Sequence, residues 1–247
     1  GKLSAEVISG GDIGLPIFQD QRAAYVPQNM SAFVAGLEIE TDQAFIFLCV
    51  REMAHTRLFK HSKWLRDHVV SQITNYAADI NIDDSKIQDA VSNNELSDPS
   101  RMKEMLESGA LLGDKTEDQK RSLESIETML ALIEGWVDAV TEEATKLLPK
   151  QAAIAETVRR RRATGGPAEL AFGTLVGLEL RPRKLREATE MWRQVGAALG
   201  TEKRDSLWDH PDMLPSAADI EYPGLLITRL ETGGDDMDAA LRDLLGE

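Results

Sequence analysis

Apolar residues recur along most of this chain three and four positions apart, the spacing of one helix face. The longest such run covers residues 116–148. There Leu123, Ile126, Leu130, Ile133, Val137, Val140, Ala144 and Leu147 keep the alternation throughout, which predicts one long amphipathic helix stopped by Pro149. Gly135 interrupts it at a cost of about 1 kcal/mol against alanine. A glycine inside a helix points to close approach of another backbone. Glu134, just before it, falls at the edge of the apolar seam rather than on the wet face.

A second strong signal is residues 41–64. Thr41 suits an N-cap and Asp42 the first turn. Seven apolar residues follow unbroken, Ala44 to Val50. A helix apolar on all sides must be covered on all sides, so this stretch is expected to be the central buried helix. Ser62 is placed to cap the next helix, 63–80, whose apolar positions are Leu65, Val69, Ile73 and Ala77. Shorter helices are expected at 30–37 with Asn29 as cap, 83–91, 100–106, 150–162, 168–178 after Pro167, 182–199 ended by Gly200, 202–208 and 236–245. Residues 1–28 read as irregular: GGDIGLP is a turn signal, and QRAAYVPQN holds a short extended piece. Residues 201–247 read as loop-rich, with one helical turn in HPDMLPSAADIEYPG. No convincing run of alternating strands appears. The fold class is mainly α, a single helical domain over 1–247.

The central helix carries three ionisable residues where apolar ones are expected. At helical spacing Leu48, Glu52, His55 and Phe59 share one face, and Phe47, Arg51, His55 and Leu58 the adjacent one. Such a cluster either satisfies itself or forms a site. The string RExxH, Arg51 to His55, differs at one position from HExxH, in which two histidines hold a metal and the glutamate serves as general base. Spacing alone favours a core ion pair or a hydrogen-bonded histidine, because four-residue motifs arise often by chance.

The neighbourhood REMAHTRLFKHSKWLRDH, with GGDIGLP, LIEGWVD, RRRRATGGPAE, LVGLELRPRKL and WDHPDMLP in that order, resembles a family of bacterial zincin-like metallopeptidases. One branch of that family has HExxH and another RExxH. The resemblance implies a helix pair at the core, the RExxH helix against the LIEGWVD helix. It implies a hydrolase with zinc as cofactor, Glu52 as general base, and His55 and Glu134 as metal ligands. Arg51 stands in the first-ligand position. Where the metal-bearing branch has EGH, this chain has Glu134, Gly135 and Trp136. Two ligands fall short of the three usual at a catalytic zinc, and a guanidinium repels a cation. The expectation is therefore a degenerate site, without zinc, in which Arg51 pairs with Glu52 or Glu134. The alternative is a non-enzymatic protein that binds a peptide or protein ligand in the same cleft. A third reading keeps a metal on His55, Glu134 and Asp138 or His61.

Composition narrows the classes. A net charge of −14 argues against nucleic acid as partner. RRRR at 159–162 covers every side of a helical turn and is expected to pair with this chain's own carboxylates. No stretch has the length of a membrane span. The single cysteine, Cys49, reads as a buried free thiol suited to a reducing cytoplasm. His61 reads as a helix-end histidine, His68 as a surface or core-edge residue and His210 as a turn histidine. His61 and His210, with Trp136 and Asp138, remain candidates for the cleft. A di-iron bundle is excluded because no second ExxH is present. TGGP lacks the lysine of a phosphate loop, and no GxSxG is present. Oligomeric state is open.

Overall fold

The computed structural model describes residues 7–12, 14–15, 20, 22–35, 37, 39–80, 83–93, 98–108, 110–111, 113, 115–164 and 184–232. Ten α-helices lie among them: α1 (Pro27–Val34), α2 (Thr41–His61), α3 (Lys63–Ala78), α4 (Asp84–Ser92), α5 (Pro99–Ser108), α6 (Glu117–Ala144), α7 (Gln151–Thr164), α8 (Leu185–Ser206), α9 (Ala217–Glu221) and α10 (Pro223–Thr232). The mainly α class is what the periodicity implies. The helices expected at 168–178 and 236–245 lie outside the described residues.

The most enclosed helix is α6, not α2. Eleven consecutive residues of α6, 129–139, are buried, and α2, α3, α7 and α8 all pack against it. Its start is built by a capping box: Thr116 accepts from the Gln119 amide, and the Gln119 side chain accepts in return from the Thr116 amide. It ends at Ala144, short of the expected 148. A turn at 145–149 feeds α7, and Leu147, expected on the seam, is 89% exposed.

The apolar run in α2 is covered only in part. Phe47 and Leu48 are buried, whereas Ile46 is 49% exposed and Cys49 is half-buried rather than enclosed. The residue at the α2 cap position is Glu40, and Thr41 is the first helical residue. Ser62 occupies the α3 cap position without making a side-chain cap bond. Pro27 opens α1 two residues before the expected cap, where its missing N–H costs nothing. Asn29 instead donates to the Val7 carbonyl.

Two apolar clusters flank α2. The larger joins Ala54, Leu58 and Phe59 to α3, α6, α8 and the C-terminal helices. There Trp192 stacks on Trp208 and donates to the Leu132 carbonyl. The smaller joins Phe47 and Leu48 to Ile8, Met30, Ile154, Ala155 and Val158. Arg51, Glu52 and His55 lie along α2 between the parts that feed these two clusters. The segment read as loop-rich holds two helices, α9 and α10, tied by two hydrogen bonds from Arg229 to Asp219. Pro223 resembles loop punctuation in sequence but opens α10, since Pro is well tolerated at a first helical turn, and α9 starts from a capping box between Ser216 and Asp219.

Gly135 marks the α6–α8 crossing. A Cβ there would lie 2.7 Å from the Ala188 Cβ and 2.8 Å from the Ala188 and Thr189 backbone. Those atoms cannot rotate away. Gly135→Ala therefore destabilises the protein by about 1–3 kcal/mol despite its better helix propensity, read as a lower urea midpoint with an unchanged slope. A stabilised variant would show that α8 yields at this crossing.

Candidate functional site

The site forms where α2, α6, α7 and the N-terminal glycine segment meet. Glu134 on α6 is fully buried, and two guanidinium groups face its carboxylate. Arg51 of α2 donates to Oε2, and Nη2 of Arg162 from α7 lies 3.3 Å from Oε1. Burial alone pushes the Glu134 carboxyl up. The charges of Arg162 and Arg51, with the hydrogen bond from Arg51, outweigh it and hold Glu134 below the usual carboxylate range. Arg51 thus reaches across to α6 and pairs with Glu134, one of the two partners the sequence leaves open.

Glu52 is turned the other way. Its Oε2 accepts from the Gly11 amide at 2.9 Å and its Oε1 from the Ala24 amide at 3.3 Å. Burial raises its pKa, and hydrogen bonds from Ser9, Gly11 and Ala24 only partly offset that. Nearby, Tyr25 donates to the Cys49 carbonyl; burial, with Cys49 and Glu52 beside it, lifts its hydroxyl to about 12.

His55 is 3% exposed. Burial depresses its pKa to about 4 despite the pull of Glu134, so at neutral pH the ring is uncharged. One hydrogen bond runs to the Gly14 backbone, and Nε2 is buried without a hydrogen-bond partner among the described residues. Phe59 packs on the ring with centroids 4.9 Å apart.

The glycine segment lies directly on these groups. A Cβ at Gly11 would stand 2.6 Å from His55 Nδ1 and 3.0 Å from Glu52 Oε2. Gly14 has φ +80°, a left-handed conformation that favours glycine, and a Cβ there would meet Glu134 Oε1 at 3.0 Å. Between them Asp12 accepts from Arg161 through both carboxylate oxygens, at 2.6 and 2.8 Å, while its backbone carbonyl accepts from Arg162. A cavity of about 20 Å³ remains, lined by Ser9, Gly11, Arg51, Glu52, His55 and Arg161 among others. That is room for about one water molecule.

Every arginine of the 159–162 run pairs with a carboxylate of this chain, as its charge context implies. Arg159 meets Asp138 and Glu142, Arg160 meets Glu156, Arg161 meets Asp12 and Arg162 meets Glu134. Asp138 is therefore engaged elsewhere, with Thr189 as a further donor. Trp136 points into the α6–α8 packing and donates to Asp205. His61 is exposed and pairs with Asp209. His210 is exposed and accepts from the Asp212 amide, in keeping with the turn reading. His68, half-buried, meets Trp64 edge to face. The structure thus brings together Arg51, Glu52, His55 and Glu134, and leaves Trp136, Asp138, His61 and His210 outside. Among the described residues, no three His, Cys, Asp or Glu side chains form a group that could hold a metal ion. Sequence reasoning missed Gly11, Asp12, Gly14, Arg161 and Arg162 as parts of the site. The available signal was an acid between spaced glycines, matched by a run of arginines far along the chain.

Comparison with known protein families gives one finding. The family model described as "Zincin-like metallopeptidase" matches residues 1–227, so the chain belongs to that family. Neither the curated proteins nor the solved structures contain a match. No described helix is long and apolar enough to cross a membrane.

The depressed pKa of His55 has a sign. Between its ordinary 6.5 and about 4 the unfolded chain takes up a proton that the folded chain refuses. Stability from this group is complete above pH 6.5 and falls as pH drops through that window, by about 3 kcal/mol at most. Glu52, shifted upward, works in the opposite direction. The difference in unfolding free energy between wild type and His55→Gln isolates the histidine and should shrink steadily from pH 7 to 4. A difference independent of pH would show that His55 takes up a proton in the fold as readily as in the unfolded chain.

Proposed function

We propose that this zincin-like metallopeptidase family member has exchanged the family's catalytic metal for an ion cluster, Arg51–Glu134–Arg162, and does not hydrolyse peptides through a bound zinc. One observation carries the reading: both oxygens of Glu134, the would-be ligand on the second core helix, face guanidinium groups. The donor set does not fit a zincin metal. His55 and Glu134 are the two metal-type donors that share the cluster, and a catalytic zinc takes three from the protein. Arg51 and Arg162 place two fixed positive charges against a site that would receive another. Glu52 keeps the position of the general base, yet both its oxygens hold backbone amides. The retained architecture serves binding rather than hydrolysis, with a peptide or protein as the class of ligand.

His55 supports a second reading. A neutral ring with one hydrogen bond to backbone and a buried Nε2 that has no hydrogen-bond partner among the described residues offers a lone pair as a metal-ligating histidine does. Zinc content after dialysis against the metal separates the two, with His55→Ala as control. Zinc well below one per chain, and equal in both proteins, is the expected result. One zinc per chain that disappears in the variant would overturn the proposal and restore the hydrolase.

The ion cluster also sets a stability expectation. Arg51→Met leaves the buried Glu134 charge half-compensated and should cost about 3 kcal/mol at neutral pH. The penalty should narrow in acid as Glu134 becomes protonated. A loss below about 1 kcal/mol, the range of a surface pair, would show that Arg51 is not needed to hold Glu134.

A further inference from the structure

The N-terminal segment has an unusual relation to the site. Ile8, Ser9, Gly11 and Asp12 supply one wall of the small cavity, and Phe33, Arg51, Glu52, His55, Val137 and Arg161 are among the residues facing them. Backbone itself fills the space, because Gly11 and Gly14 approach Glu52, His55 and Glu134 too closely for a side chain. The segment is folded into two successive turns, with Asp12 N–H donating to Ser9 and Gly14 N–H to Gly11. It pairs with residues 24–26 through Gly10 N–H to the Ala24 carbonyl and Val26 N–H to the Ile8 carbonyl.

What fastens the segment is mainly polar. Asp12 and Arg161 form its rim contact, Glu52 takes the Gly11 amide, Arg162 takes the Asp12 carbonyl, and Ile8 is its buried apolar anchor. None of its described residues is a buried member of the larger core cluster; Leu15 packs against that cluster's edge. Detaching it breaks hydrogen bonds and an ion pair that water can replace. Unfolding α6 instead exposes the main apolar core. Local opening should therefore cost less than global unfolding.

We propose that residues 8–12, with Gly14, are a detachable cap, occupying in cis the groove that leads to Glu52 and His55, and latched by the Asp12–Arg161 pair. Ligand access to the groove requires release of the latch. The inference goes beyond the metal question and stands whether or not zinc binds.

Amide hydrogen exchange on the full chain tests it. The amides of Gly10, Gly11 and Val26, whose bonds the cap makes, should exchange together, faster than those of α6 residues 132–137 and with little dependence on denaturant. Exchange at the α6 rate with the α6 denaturant dependence would overturn the proposal, since the cap would then open only with the whole fold. Asp12→Asn keeps the shape and removes the charge. It should speed Gly11 exchange about tenfold, the scale of one charge-assisted contact, and leave the α6 amides unchanged. Modification of His55 by diethylpyrocarbonate should rise in the same variant toward that of the exposed His61. Unchanged Gly11 exchange, or equal acceleration in α6, would overturn the latch. If the variant does not fold, exchange in the wild-type chain still decides. None of these measurements reads metal, so their failure is distinct from failure of the metal-free reading.

Discussion

A carboxylate with no solvent exposure must have its charge answered inside the protein, and Glu134 imposes that condition on this fold. Arg51 answers it from α2 and Arg162 from α7. The answer fixes geometry as well as charge. It holds α2 and α7 on the same side of α6 at one level along its length, and the neutral ring of His55 lies close enough to feel all three charges. On the proposed reading, a divalent cation would otherwise tie the two core helices together here. Two guanidinium groups supply a comparable positive charge with fixed covalent attachment.

That arrangement leaves Glu52 without a cationic partner among the described residues. Its neighbours are the amides of Gly11 and Ala24, so the N-terminal segment is organised by the carboxylate rather than by a core of its own. Glycine is required where backbone must pass within contact distance of His55 and Glu134. The same run of four arginines completes both sides. Arg161 secures Asp12 on the segment, Arg162 secures Glu134 on α6, and Arg159 binds Asp138 one turn further along α6. One turn of α7 therefore links the cap, the buried acid and the second buried acid of α6.

The larger apolar cluster gives the rigid background. Trp192 and Trp208 stack beside α6, and Gly135 lets α8 approach the α6 backbone. Because the site lies between this cluster and the smaller one around Phe47, it borrows rigidity from both without being part of either. Its polar groups could not have been accommodated inside one continuous apolar core without losing their partners.

The sequence by itself determined the mainly α class, the long amphipathic helix through Glu134, the close approach at Gly135, and the coincidence of Arg51, Glu52 and His55 on one side of α2. Those features follow from local spacing, and local spacing survives folding. It also determined that the four arginines need internal acids, because charge balance is a property of the composition. Only the tertiary structure decided which acid each arginine meets, and that Glu52 turns to backbone amides instead of to Arg51. It placed Asp138, Trp136, His61 and His210 away from the cluster, since direction from a helix depends on the neighbour it packs against. It also made α6, not α2, the enclosed helix. An unbroken apolar run shows that burial is available, whereas enclosure depends on how completely the neighbours cover every side, and among the described residues it is α6, along 129–139, that is covered without a gap.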